Sequence, residues 1–156
     1  MSIDKVRAYF RKYDMEDRVL EFDVSSATVE LAAQAVGCEG KRIAKTMSFL
    51  VDDNAVLVVL AGDAKISNPK FKAAFHTKAK MLSPEQVDLL IGHSIGGVCT
   101  FAINEGVKVY LDESLKRFET VFPAAGSSNS AIELTLEELW KYSCASGWVD
   151  IGKDWE

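Results

Sequence analysis

AKTMSFLVDDNAVLVVLA, residues 44–61, holds two apolar runs separated by three turn-forming residues. The second run, 55–61, is unbroken, Val-rich and too short for an average helix, so it reads as a buried strand. Asp52, Asp53 and Asn54 supply the turn, because short polar side chains accept the left-handed backbone that tight reversals need. In the first run, 44–51, side chains alternate between faces. Lys45, Met47, Phe49 and Val51 share one face; Ala44, Thr46, Ser48 and Leu50 share the other. Two strands joined so closely must run antiparallel.

The same reasoning extends in both directions. Upstream, Ile3, Val6, Phe10 and Tyr13 recur at helical spacing, 19–24 alternates as a strand, and Thr28 is placed to cap a helix with Val29, Ala32, Ala33 and Val36 inside. Gly37 would end that helix. Downstream, Asn68-Pro69 opens a short helix with Pro69 at its first position, and Ser83 with Gln86 forms a capping box around Pro84. Gly92 stops that second helix. Strands are expected at 107–111, 120–125 and 132–134, with a helical turn over 114–118. Thr135 and Glu138 cap a last helix, and 148–151 adds an edge strand. The expected fold class is mixed α/β, α+β-like: a curved mixed sheet or partial barrel flanked by helices. No repeat or linker divides the chain, so residues 1–156 read as a single domain.

Composition narrows the functional classes. With 48% hydrophobic and 26% charged residues, the chain reads as soluble and globular. Its longest apolar run is far below the ~20 residues that span a bilayer, and the N-terminus lacks the pattern of a secretory signal. A cytoplasmic location is expected, with no membrane partner. Cys38, Cys99 and Cys144 form no C-x-x-C pair, and His76 and His93 stand at no ligand spacing, so neither a disulfide framework, a metal nor a cofactor is expected. The net charge of −5 disfavours a broad nucleic-acid interface. Against that, Lys65, Lys70, Lys72, Lys78 and Lys80 crowd a segment with no acid between Ala64 and Ser83. This run is either a solvated face or a local basic mouth.

Three features could carry chemistry. Lys45 heads the more apolar face of its strand; it either points to a cleft and needs an anionic or polar partner, or its stem snorkels to water. The loop Gly92-His93-Ser94-Ile95-Gly96-Gly97-Val98-Cys99-Thr100 can bring backbone N–H groups close to a ligand, yet it matches neither a Walker nor a Rossmann loop. Within it, His93 is either a hydrogen-bonding partner of the helix end or a general base, and Cys99 lacks an activating group at a recognisable spacing. Gly126, Ser127 and Ser128 form either a donor-rich pocket edge or a plain surface turn.

In order along the chain, IAKTMSF (43–49), AGDAKI (61–66), GHSIGGVC (92–99), VKVYLD (107–112) and AGSS (125–128) running into IELT (132–135) resemble the YbaK/EbsC/ProX family of aminoacyl-tRNA deacylases, editing domains associated with prolyl-tRNA synthetase. The likeness runs from the second helix to the last. It implies hydrolysis of the ester of mischarged tRNA, with alanyl- or cysteinyl-tRNA(Pro) as expected substrates and the acceptor end of aminoacyl-tRNA as partner. Lys45 would take the family's key lysine position, and Gly96 and Gly97 its substrate loop. Thr46, Met47, His93, Val98, Cys99, Thr100, Gly126, Ser127 and Ser128 would line the substrate site. Thr100 departs from the family, whose loop often has proline there, which bears on substrate choice more than on reaction type.

The resemblance implies attack by water, assisted by a ribose hydroxyl, with backbone N–H groups of the 96–99 loop holding the oxyanion. Lys45 would position the terminal nucleotide. An acidic chain of this size can grip little beyond the acceptor end, so weak intrinsic tRNA affinity is expected, with an aminoacyl-tRNA synthetase as a candidate helper and a monomer favoured. Two other readings remain: an inactive module binding aminoacyl-nucleotide or a synthetase, and a cysteine hydrolase using Cys99.

Overall fold

A computed structural model describes residues 2–93 and 98–155. The hairpin at 44–61 is its spine: β2 (Ile43–Val51) pairs antiparallel with β3 (Asn54–Ala61) in continuous register, Lys45 opposite Leu60 and Val51 opposite Asn54. The reversal takes two residues rather than three. Asp52 and Asp53 both have positive φ, 50° and 66°, as a type I′ turn requires, and Asn54 already belongs to the strand.

β3 is paired on its other side with β5 (Lys108–Asp112) and β5 with β9 (Gly147–Val149), both in parallel; β2 meets β6 (Thr120–Pro123), which carries β8 (Leu134–Thr135). The six strands run β8-β6-β2-β3-β5-β9 in a curled mixed sheet, the expected fold class. Two small antiparallel pairs stand outside it. β1 (Val19–Glu21) pairs with β7 (Ser130–Ile132), and β4 (Lys65–Ile66) pairs with β10 (Gly152–Lys153). The single strand expected at 132–134 is therefore two short strands in different sheets, breaking at Glu133. The strand expected over 19–24 stops at Glu21, where its partner β7 runs out.

Both faces of the hairpin are buried. Leu57, Val59 and Ala61 pack with Val6 and Phe10 of α1 (Ser2–Arg11) and with Leu139 of α5 (Leu136–Tyr142). Phe49, Val56, Val58 and Leu60 pack under Phe71 of α3 (Asn68–Phe75), with Met47 and Val51 at the margin. A third cluster joins Ala32 of α2 (Val29–Val36) to Ile43 and Phe122. Thr28 caps α2 by accepting from Leu31 N, and Gly37 ends it at φ 84°. Ser83–Gln86 and Thr135–Glu138 form the expected capping boxes. Ser67, not Asn68, caps α3, so Pro69 stands at the second helical position. The helix begun at α4 (Pro84–Gln86) widens into a π-turn over Val87–Ile91, closed by Gly92 N on Val87 O.

Candidate active site

β2 is a central strand at one end and an open edge in the middle. It bonds β6 only through Ile43 and Ala44. Beyond Ala44 the two strands part, and β2 next finds partners where Leu82 N donates to Ser48 O and Leu50 N to Lys80 O. A strand aims the N–H and C=O of alternate residues at the same edge. Ser48 and Leu50 use that edge, so Thr46 must turn its N–H and C=O the same way, into the gap. The gap is a cleft of about 390 Å³. Val29, Ala32, Met47, Leu82, Val87, Val98 and Phe122 make its apolar walls, while Ser26, Thr28, Lys45, Thr46, Ser48 and Ser130 bring polar groups to it.

Lys45 is half-buried on the cleft wall, and among the described residues its Nζ reaches one partner, Gly62 O at 3.5 Å. Burial depresses its pKa; the carboxylate of Asp63 works against this, and the ammonium of Lys65 works with it. Asp63 cannot neutralise Lys45 fully, because it is clamped by Arg117 through two bonds of 2.9 and 2.6 Å. The turn that offers the Gly62 carbonyl lies hard against Gly40: a Cβ on Gly62 would stand 2.0 Å from Gly40 O and 2.8 Å from Val29. Only glycine fits there, and it docks α2 against the end of β3. Thr46 adds a second unsatisfied group, since its Oγ1 is buried without a hydrogen-bond partner among the described residues. A half-buried cation and an unpaired hydroxyl on successive residues of β2, both lining the cleft, are costly unless a polar ligand completes them.

Residues 24–142 match the model of the aminoacyl-tRNA editing domain. The chain belongs to that family. YwhH of Bacillus subtilis (strain 168), an uncharacterized protein, is 53% identical over 157 residues, covering 100% of both chains. The proline–tRNA ligase of Leuconostoc citreum (strain KM20) is 31% identical over 87 residues, 55% of this chain, and the match spans only 15% of the ligase. A solved structure described as a candidate trans-editing enzyme for prolyl tRNA synthetase superposes with a TM-score of 0.87 at 28% identity, covering 97% of each chain. An editing domain implies a deacylase acting on aminoacyl-tRNA, in agreement with the reading from sequence.

In this editing domain the expected site residues divide. Lys45, Thr46, Met47 and Val98 line the cleft together. Gly96 and Gly97 lie outside the described residues. Gly126, Ser127 and Ser128 stand behind the wall: Ser127 spends its hydroxyl on Asn129 and Ser130, while Ser128 O accepts from Ser26 N at 2.6 Å and so fixes the Ser26–Ala27 rim. Thr100 is buried against Ser143, Oγ1 to Oγ 2.5 Å. His93 is fully buried, with Nε2 2.7 Å from Phe101 O. A carbonyl only accepts, so Nε2 carries the proton, and burial holds the imidazole below its ordinary pKa. That neutral ring staples the two ends of the glycine-rich loop. Sequence reasoning passed over Ser26, Val29, Leu82 and Phe122, which reach the cleft through long-range packing and carry no local signature.

Cys99 fails as a nucleophile. Its side chain is wholly buried, and burial pushes the thiol up to about 12, so thiolate is scarce at neutral pH. Its 3.6 Å contact with His93 is made to Nε2, whose proton is already given to Phe101. Iodoacetamide at pH 7 is expected to label exposed Cys144 first and leave Cys99 unmodified and deacylation intact. Mass spectrometry beside an activity assay would check this; inactivation that tracks Cys99 labelling would reinstate the cysteine mechanism.

Proposed function

We propose that this editing domain acts in trans, hydrolysing the ester of mischarged tRNA(Pro), with alanyl- or cysteinyl-tRNA(Pro) as substrate. The observation that carries the reading is Lys45, a half-buried ammonium with no carboxylate in ion-pair contact among the described residues, on the wall of a cleft built on the open edge of β2. A cation there suits a phosphate or sugar oxygen of the terminal adenosine, which would set the ester against the wall. The cleft lies near the small end of ligand pockets and is walled by apolar groups, which favours a small side chain. Thr46 Oγ1 has no partner among the described residues and, with the Thr46 N–H on the open edge, would bind the aminoacyl group. The 96–99 loop would hold the oxyanion, and water, assisted by a ribose hydroxyl, would attack. Whole-length similarity to a candidate trans-editing structure supports action apart from a ligase. Such an enzyme has a purpose because a synthetase separates amino acids differing by one methylene by only ~1–3 kcal/mol.

The test is release of labelled amino acid from alanyl-, cysteinyl-, seryl- and prolyl-tRNA(Pro). Loss of a mischarged species with prolyl-tRNA spared is expected. No release from any of them by folded protein would overturn the enzyme reading and leave a binding module.

A further inference from the structure

The lysine run of 65–80 does not scatter over the surface. β4 and β10 pair so that Lys65 stands directly opposite Lys153. Like charges in that position are destabilising, so the pairing is a cost the small sheet bears. Lys72 and Lys78 flank a surface concavity of about 520 Å³ beside the start of α3, floored by Asn68, Pro69 and Ala79. Lys80 follows, and its carbonyl receives Leu50 N at the end of β2. All five of these lysines are exposed. None has a carboxylate within ion-pair distance among the described residues, although Lys41, Lys70 and Lys116 of the same acidic chain are paired with Glu39, Asp150 and Glu113.

The surface is also continuous with the cleft. Lys65 lies three residues beyond Gly62, whose carbonyl holds Lys45, and its charge is felt at Lys45. At the other end, Lys80 is followed by Met81 and Leu82, which line the cleft. Both ends of the lysine-bearing segment therefore open on the site where the ester would sit. We infer that Lys65, Lys72, Lys78, Lys80 and Lys153 form a phosphate track that docks the acceptor-stem backbone of an RNA whose 3′ end enters the cleft. The inference rests on the proposed function for the identity of that 3′ end. RNA is favoured over an acidic protein because the track leads into the cleft where the ester would sit, through Lys80, Met81 and Leu82. Contacts of this kind fix register without reading sequence and make binding salt-dependent.

The experiment is fluorescence-anisotropy titration of a labelled acceptor-stem RNA hairpin ending in CCA, across a salt series. The full chain is compared with Lys72→Ala/Lys78→Ala and with Lys108→Ala, a lysine at the far end of β5 opposite Val56. The double variant is expected to bind about tenfold more weakly, with a log K against log salt slope shallower by about 1 for each lysine removed. Lys108→Ala should match wild type. Equal affinity and slope in all three proteins would overturn the inference. So would a double variant that keeps the hairpin but loses a poly-glutamate peptide, which would assign the track to an acidic protein. Binding needs no turnover, so failure of the proposed reaction is read separately: the hairpin would bind as described while no mischarged tRNA was hydrolysed.

Discussion

Lys45→Ala is expected to lower kcat/KM for mischarged tRNA by about 100-fold or more, the scale of losing one positioning contact at a reacting centre. The protein should remain folded and at least as stable as before. The two halves of that expectation have one cause. The Lys45 ammonium is half removed from water and, among the described residues, receives one long contact to Gly62 O and the more distant attraction of Asp63 and Glu30 in return. In the free protein it is a liability; with an anionic oxygen in the cleft it becomes the strongest point charge available. Lys45→Arg should recover part of the activity, since charge is kept but the larger planar head does not fit the same wall. Lys45→Met should behave like alanine in the assay and match or exceed wild type in thermal melting.

The pH dependence of stability follows the same logic. Burial sets the folded-state pKa of Lys45 below the unfolded value of 10.5, so between the two the unfolded chain holds more protons. Stability contributed by this group therefore rises with pH through that window, and Lys45→Met should remove the rise. Full deacylase activity in a folded Lys45→Ala protein would remove Lys45 from the mechanism.

How much of this was legible beforehand follows from the range of each interaction. The 44–61 hairpin, the caps at Thr28, Ser83 and Thr135 and the stops at Gly37 and Gly92 depend on neighbours within a few residues, and all appear where the pattern put them. The alternation that placed Lys45 with Met47, Phe49 and Val51 also holds, with Phe49 under α3. What failed is long-range. Nothing local distinguishes Ala44, where β2 still has a parallel partner, from Thr46, where it has none among the described residues, so the open edge that creates the cleft was invisible. Glu133 likewise looks like the middle of one strand, whereas residues on either side answer to different partners, Val19 and Val121. His93 was ambiguous for the same reason. Its fate was decided by Phe101, across a glycine-rich loop whose course periodicity cannot give.

Asp112→Ala is expected to destabilise the chain by about 3–5 kcal/mol, because the fully buried carboxylate satisfies three backbone donors. Oδ2 accepts from Ser114 N at 3.0 Å and starts the 3₁₀ turn Glu113–Arg117; Oδ1 accepts from Ile151 N at 2.8 Å and Gly152 N at 3.1 Å. The approach is so close that a Cβ on Gly152 would stand 2.8 Å from Oδ2. One carboxylate thus ties the end of β5 to the C-terminal segment. For a chain of this length the loss corresponds to a melting temperature lower by roughly 10 °C. Asp112→Asn keeps one acceptor oxygen and should fall between the two. Function should change selectively. Ile151 O accepts Ser67 N at the head of α3, and Gly152 O accepts Lys70 Nζ, so freeing this segment releases β10 and withdraws Lys153 from Lys65. Below its melting temperature, Asp112→Ala should bind the acceptor-stem hairpin more weakly than wild type, yet hydrolyse a phosphate-free aminoacyl-adenosine at a comparable rate, since Lys45, Thr46 and the cleft walls lie elsewhere. A melting temperature within about 2 °C of wild type would show that the three donors find other partners, and the clasp assigned to Asp112 would be wrong.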